Sequence, residues 1–148
     1  MNVGIVGSGE IADALATLAK AAGSKVRRER ELLDWADVLL LAVPAEDVRA
    51  TVRSLDPGPS ARVVLATRGL EPRTGHRLSQ VVVEESACLR VGALAGPILP
   101  GEIKRRSPCA AVVASAFREV GETTWMVLHS PFCRVYTSKV SVKETQRA

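Results

Sequence analysis

The sequence predicts an α/β fold, a doubly wound and mainly parallel sheet of about seven strands with helices on both faces. Three observations carry this expectation. Short runs rich in Val, Leu and Ala alternate with segments whose apolar residues recur at helical spacing. Of the 148 residues 47% are hydrophobic but only 3% are aromatic, which suits parallel strands covered by helices better than a β-sandwich. A glycine-rich turn also sits between the first apolar run and the first helical pattern.

Each element follows in order. Residues 2–6 form a Val/Ile run, read as the first strand. In "GSGEIADALATLAKAAG", Ile11, Leu15, Leu18 and Ala22 lie along one helix face and Gly23 is the stop. "SKVRRER" falls where a second strand belongs but holds a single apolar residue. "DVLLLAVP" is a continuous apolar strand closed by Pro44, and in "AEDVRATVRSL" the residues Val48, Val52 and Leu55 have helical spacing. After the turn "DPGPS" comes the strand "ARVVLATRG", then "TGHRLSQVVVEES", read as a helix capped by Thr74. "LRVGALAGP" and "CAAVVAS" are strands, "REVGETTWMVLH" is a helix with Val120, Trp125 and Leu128 on one side, and "FCRVYTS" is the last strand. Trp35 and Trp125 are read as core residues on helical faces. The length suits one domain, placed at residues 1–138, with a polar tail at 139–148.

Charge and cysteines narrow the function classes. Lys and Arg number 20 against 16 Asp and Glu, a net charge of +4, which argues against a nucleic-acid partner and suits a phosphorylated small ligand. The cluster Lys104-Arg105-Arg106 is read as a solvated turn. Cys88, Cys109 and Cys133 lack metal-ligand spacing and are read as reduced, packed thiols, so the expected compartment is cytoplasmic. The run from Val38 to Val43 is too short to cross a bilayer, no signal peptide is expected, and no membrane partner follows. His76 and His129 are read as surface or capping residues, and no residue is assigned a catalytic or metal-binding role.

The turn Gly7-Ser8-Gly9-Glu10-Ile11-Ala12 is the Gly-x-Gly-x-x-Ala form of the dinucleotide fingerprint, and it makes the expected fold Rossmann-like. Gly7 allows the tight turn, Gly9 lets backbone approach a pyrophosphate, and Ala12 lets helix and strand pack closely. Glu10 works against this. Its carboxylate stands in the first helical turn, where it takes the place of an anion and repels a pyrophosphate. Near the position of the usual ribose-binding acid stands Glu29, flanked by Arg27, Arg28 and Arg30. These arginines read either as a receiver for a 2′-phosphate, which would favour NADP, or as a solvated charged edge, so NAD and NADP both stay open.

From "LLLAVPAEDVRATV" onward the chain resembles the N-terminal domain of bacterial NAD(P)-dependent glycerol-3-phosphate dehydrogenase, through "VVLATRGLEPRTGHRLSQVVVEE", "ALAGPILPGEI" and "SPFCRVYTS". The resemblance implies NAD or NADP as cofactor and glycerol 3-phosphate or dihydroxyacetone phosphate as substrate. It implies Pro44 beside the nicotinamide, Arg68 in contact with both cofactor and substrate, and Gly96 on the substrate side. Departures reduce what carries over. The lysine that precedes Gly-Leu-Glu in the family is Arg68, not equivalent in geometry. The substrate-side serine of the family is Ile98, its serine and tryptophan in the glycine turn are Glu10 and Ile11, and the segment before "LLLAVP" is shorter. The family's helical C-terminal domain, which supplies the lysine proton acceptor and the phosphate-holding arginine and asparagine, has no counterpart in these residues. Hydride transfer needs such a base. The expectation is therefore a dinucleotide-binding protein, weak or inactive as a lone chain. The alternative is a non-catalytic scaffold whose exposed face pairs in a homodimer or with a partner protein.

Overall fold

A computed structural model describes residues 1–28, 31–96 and 100–139. The strands are β1 (Asn2–Val6), β2 (Lys25–Arg27), β3 (Val38–Leu41), β4 (Arg62–Leu65), β5 (Arg90–Ala95), β6 (Cys109–Ser115) and β7 (Cys133–Ser138). The helices are α1 (Glu10–Ala21), α2 (Val48–Leu55), α3 (Leu78–Glu85), α4 (Pro100–Lys104) and α5 (Arg118–Leu128). The seven strands form one sheet in the order β2-β1-β3-β4-β5-β6-β7. Every neighbouring pair is parallel except β5 and β6, so β6 and β7 run opposite to the rest.

The apolar runs form strands because both faces of the sheet are buried. Val38 and Leu40 of β3 join a core with Val3, Ile5, Val64, Val113, Leu15, Leu18, Val120 and Leu128, between the sheet and helices α1 and α5. Leu39 and Leu41 face the other way, onto Val48 and Val52 of α2 and Leu78, Val81 and Val82 of α3. A strand buried on both sides needs an uninterrupted apolar sequence. Helix α1 ends as expected from Gly23: at φ +85° it lets its own N–H reach Lys20 O (3.0 Å) and the Ser24 N–H reach Ala19 O (2.9 Å), closing the last turn.

The edge strand β2 is real but minimal, three residues paired to β1 with only Val26 half-buried. Among the described residues, the passage from β2 to β3 is made by a turn at 33–35, with no helix, which places β3 directly on the other side of β1. The chain thus reverses direction across the sheet between β1 and β3.

Four sequence readings change. Helix α3 begins at Leu78, not after Thr74; the Thr74 hydroxyl donates to Glu71 Oε1 (2.6 Å) and accepts the His76 N–H (3.1 Å), closing the preceding loop. Trp125 is 44% exposed rather than core, because five residues along a helix turn it by about 140° from buried Val120; it stacks instead on His129, centroids 4.3 Å apart. Trp35 lies half-buried in the 33–35 turn, not on a helix, with the Arg27 guanidinium 4.3 Å from its ring centroid. Helix α4 was not anticipated, and it ends at the exposed Lys104-Arg105-Arg106 cluster. The tail at 140–148 lies outside the described residues.

The three cysteines are free thiols, as read. Burial and the neighbouring Cys109 push the Cys133 thiol up to about 12, and burial also raises Cys88. No described helix is long and apolar enough to cross a membrane.

Candidate functional site

A parallel sheet delivers the carboxyl ends of its strands to one edge, and where the strand order reverses the two flanking loops diverge and leave a crevice. Here that point lies between β1 and β3. A cleft of about 1560 Å³ opens there, lined by Gly7, Ser8, Gly9, Glu10 and Ile11 after β1, Ala42, Val43 and Pro44 after β3, Thr67 and Arg68 after β4, and Gly96 after β5. Eight of the residues singled out from the sequence meet in this cleft.

Gly7 is set by its neighbour strand. At φ +140° it occupies a region that side chains avoid, and a Cβ would stand 2.6 Å from the Ala42 carbonyl oxygen. Gly9 differs. It is the N-cap of α1 at φ −90°, no side chain caps the helix, and a Cβ there would meet nothing within 4 Å. The uncapped N–H groups therefore open toward free space, which is what an anionic pyrophosphate requires. Ala12 is fully buried in the core behind the turn. Glu10 is exposed at the head of the same helix and lines the cleft, the position from which its carboxylate competes with a bound anion. The residues of the turn fit a dinucleotide pyrophosphate, with the Glu10 carboxylate opposing it from the cleft wall.

The far wall is tied together by polar contacts. The Thr67 hydroxyl donates to Val43 O, joining the end of β4 to the end of β3. Arg68 is exposed and its Nη2 donates to Gly96 O at 2.7 Å, bridging the loops after β4 and β5. Gly96, at φ +126°, approaches β6 so closely that a Cβ would lie 2.8 Å from Ala110 O.

Sequence reasoning missed the anchor of this wall. Arg49 of α2 donates to both oxygens of Glu71 (2.7 and 2.8 Å), to Glu85 (2.7 Å) and to Glu84 (2.9 Å). Glu71 is only 5% exposed, and the Arg49 guanidinium, with the Thr74 hydroxyl, holds its carboxyl down to about 2. The three carboxylates push Arg49 upward in turn. The available signal was the facing charge pattern, Arg49 and Arg53 one helical turn apart on α2 against Glu84-Glu85 on α3.

Arg28 does not line the cleft. Its guanidinium lies against the glycine turn, Nη1 donating to Asp13 Oδ1 (2.7 Å) and Nη2 to Gly7 O (2.9 Å). Arg30, Glu29 and Ile98 lie outside the described residues. Among the described residues no group of His, Cys, Asp and Glu could hold a metal ion.

Comparison with known proteins gives a consistent result. The family described as "NAD-dependent glycerol-3-phosphate dehydrogenase N-terminus" matches residues 29–120, more than half of the chain. A glycerol-3-phosphate dehydrogenase [NAD(P)+] from Moorella thermoacetica is 45% identical over 105 residues, 70% of this chain and 31% of that protein. The corresponding protein from Nostoc is 36% identical over 148 residues, covering 93% of this chain and 48% of its own length. The chain thus spans between 31% and 48% of the length of these relatives. Among solved structures, glycerol-3-phosphate dehydrogenase from Coxiella burnetii superimposes with a TM-score of 0.80 at 18% identity, over 93% of this chain and 54% of that one. A Plasmodium falciparum glycerol-3-phosphate dehydrogenase gives 0.78 at 13%, over 93% and 52%. At such identities the likeness is one of fold.

Proposed function

Because the chain belongs to the family of NAD-dependent glycerol-3-phosphate dehydrogenase N-terminal domains, we propose that it binds a nicotinamide dinucleotide, NAD or NADP, across the β1/β3 crevice. The observation that carries this is the pairing of a capless helix start with a glycine whose missing side chain leaves open space in front of it. Gly7, Ser8 and Gly9 form the pyrophosphate cradle with Ala12 packed behind it, and Pro44 lies beside the nicotinamide. Arg68 and Gly96 stand at the substrate end, where the Arg68 guanidinium is free to hold a phosphate such as that of glycerol 3-phosphate or dihydroxyacetone phosphate once it turns from Gly96 O.

The bound cofactor would supply hydride chemistry. The residues described here bind and orient; none of them is placed to take the hydroxyl proton. These 148 residues are therefore proposed to be weak or inactive by themselves, with the family's turnover depending on the part of the relatives' length that they do not span. The domain is assigned to residues 1–138, and its reduced thiols suit the cytoplasm.

A second reading, a non-catalytic interaction module, is favoured by Val112 on β6 and Tyr136 on β7, which are register partners and stand 36% and 53% exposed on one side of the sheet. A second copy or a partner protein would cover them. Titration of the purified chain with NADH and NADPH, followed by nucleotide fluorescence or calorimetry, separates the two readings. Micromolar binding upholds the cofactor reading, and no binding at millimolar nucleotide overturns it in favour of the interaction module.

A further inference from the structure

Arg28 is held by two contacts that answer different questions. Its bond to Gly7 O fixes the guanidinium against the glycine turn, and its bond to Asp13 Oδ1 places a carboxylate 2.7 Å from it. In a doubly wound fold, the adenosine ribose lies beyond the end of β2, roughly 20 residues past the glycines. Arg28, the residue after β2, stands there. The neighbouring Arg27 guanidinium is engaged elsewhere, 4.3 Å from the Trp35 ring centroid.

We propose that Asp13 sets the choice of dinucleotide, by neutralising the arginine that a 2′-phosphate would need. This rests on the cofactor reading above and deepens it. A 2′-phosphate brings about two negative charges to the ribose. Against Arg28 alone it would form charge-assisted hydrogen bonds. The Arg28–Asp13 pair carries no net charge of its own, and a phosphate that approaches Arg28 must approach the Asp13 carboxylate as well. The uncharged 2′-hydroxyl of NAD suffers no such repulsion and can lie beside a neutral pair. Glu10, on the cleft side of the same helix turn, opposes the pyrophosphate common to both cofactors and leaves their ratio unchanged. The chain therefore prefers NAD despite its run of arginines, and the preference is held by a helix residue outside that run.

The charge is what matters, so the test removes it and keeps the shape. The full chain, Asp13→Asn, and Asp13→Asn combined with Arg28→Ala are titrated with NADH and NADPH at low salt by nucleotide fluorescence. Asp13 is exposed, its side chain 60% accessible, so the substitution leaves the core untouched. The expected result is that the unaltered chain binds NADH at least as tightly as NADPH. Asp13→Asn then tightens NADPH relative to NADH by about tenfold, and the added Arg28→Ala abolishes the gain. An NADPH/NADH affinity ratio unchanged by Asp13→Asn, or a clear NADPH preference in the unaltered chain, overturns the proposal while leaving the cofactor reading intact. Failure of the unaltered chain to bind either nucleotide overturns both.

Discussion

Arg49 of α2 grips the Glu71 carboxylate by both oxygens, at 2.7 and 2.8 Å, and Glu71 stands three residues beyond Arg68 on the loop that closes the far wall of the cleft. The loop folds back on itself around this residue: the Glu71 N–H donates to His76 O (2.9 Å) and Glu71 O accepts the Gly75 N–H (2.8 Å). The loop that follows Arg68 is thus held to α2 by a nearly buried ion pair.

Glu71→Gln should lower the melting temperature at pH 7 by several degrees, since it leaves the Arg49 guanidinium one carboxylate short in a half-buried place. Because the folded carboxyl is held below its ordinary value of 4.5, at about 2, its stabilisation is present above pH 4.5 and is lost as pH falls toward 2. The difference between native chain and variant should therefore shrink over that window. Thermal melts at pH 7, 4 and 2.5 check this; a constant difference would remove Glu71 as its source.

Gly7→Ala and Gly9→Ala should separate folding from binding. At Gly7 the new methyl meets the Ala42 carbonyl at a positive φ, with an expected loss of about 2 to 3 kcal/mol in urea unfolding. At Gly9 the methyl enters open space, so stability should change by less than about 1 kcal/mol. Dinucleotide affinity should nevertheless fall at Gly9, since the methyl occupies the approach to the helix start. Retained affinity in Gly9→Ala would move the pyrophosphate elsewhere.

Arg68→Ala should leave dinucleotide affinity within about twofold while removing any thermal protection by glycerol 3-phosphate or dihydroxyacetone phosphate, because the lost guanidinium is the cation offered to a phosphate at that end of the cleft. Protection that persists in the variant would take Arg68 out of the substrate site.

Leu39→Ala and Leu40→Ala point to opposite faces of the sheet, and both side chains are buried, at 2% and 0% exposure. Each should cost about 2 to 5 kcal/mol in urea unfolding, as deletions from a packed core do. A small cost at Leu39 alone would mean that the layer of α2 and α3 is loosely packed.

The seven strands, the glycine turn and the cleft were legible because each depends on local pattern. An apolar run such as 38–41 admits burial on both faces only, and Gly7-x-Gly9-x-x-Ala12 has few uses directly between a strand and a helix. The misreadings occurred where one local signal competes with another. Thr74 has the chemistry of a helix cap, but the Glu71 carboxylate reaches its hydroxyl first. Trp125 resembles core, yet its angle on α5 turns it to solvent.

What the sequence by itself determined is the alternation of elements, and with it a mainly parallel sheet and the edge at which the glycine turn, Pro44, Arg68 and Gly96 gather, because strand and helix periodicity and the handedness of crossovers are properties of short segments. Only the tertiary structure decided which charges pair: Arg28 with Asp13 across fifteen residues, Arg49 with Glu71 across twenty-two. A side-chain ion pair depends on where two helices, strands or loops come to rest, and no periodicity in the chain encodes that distance.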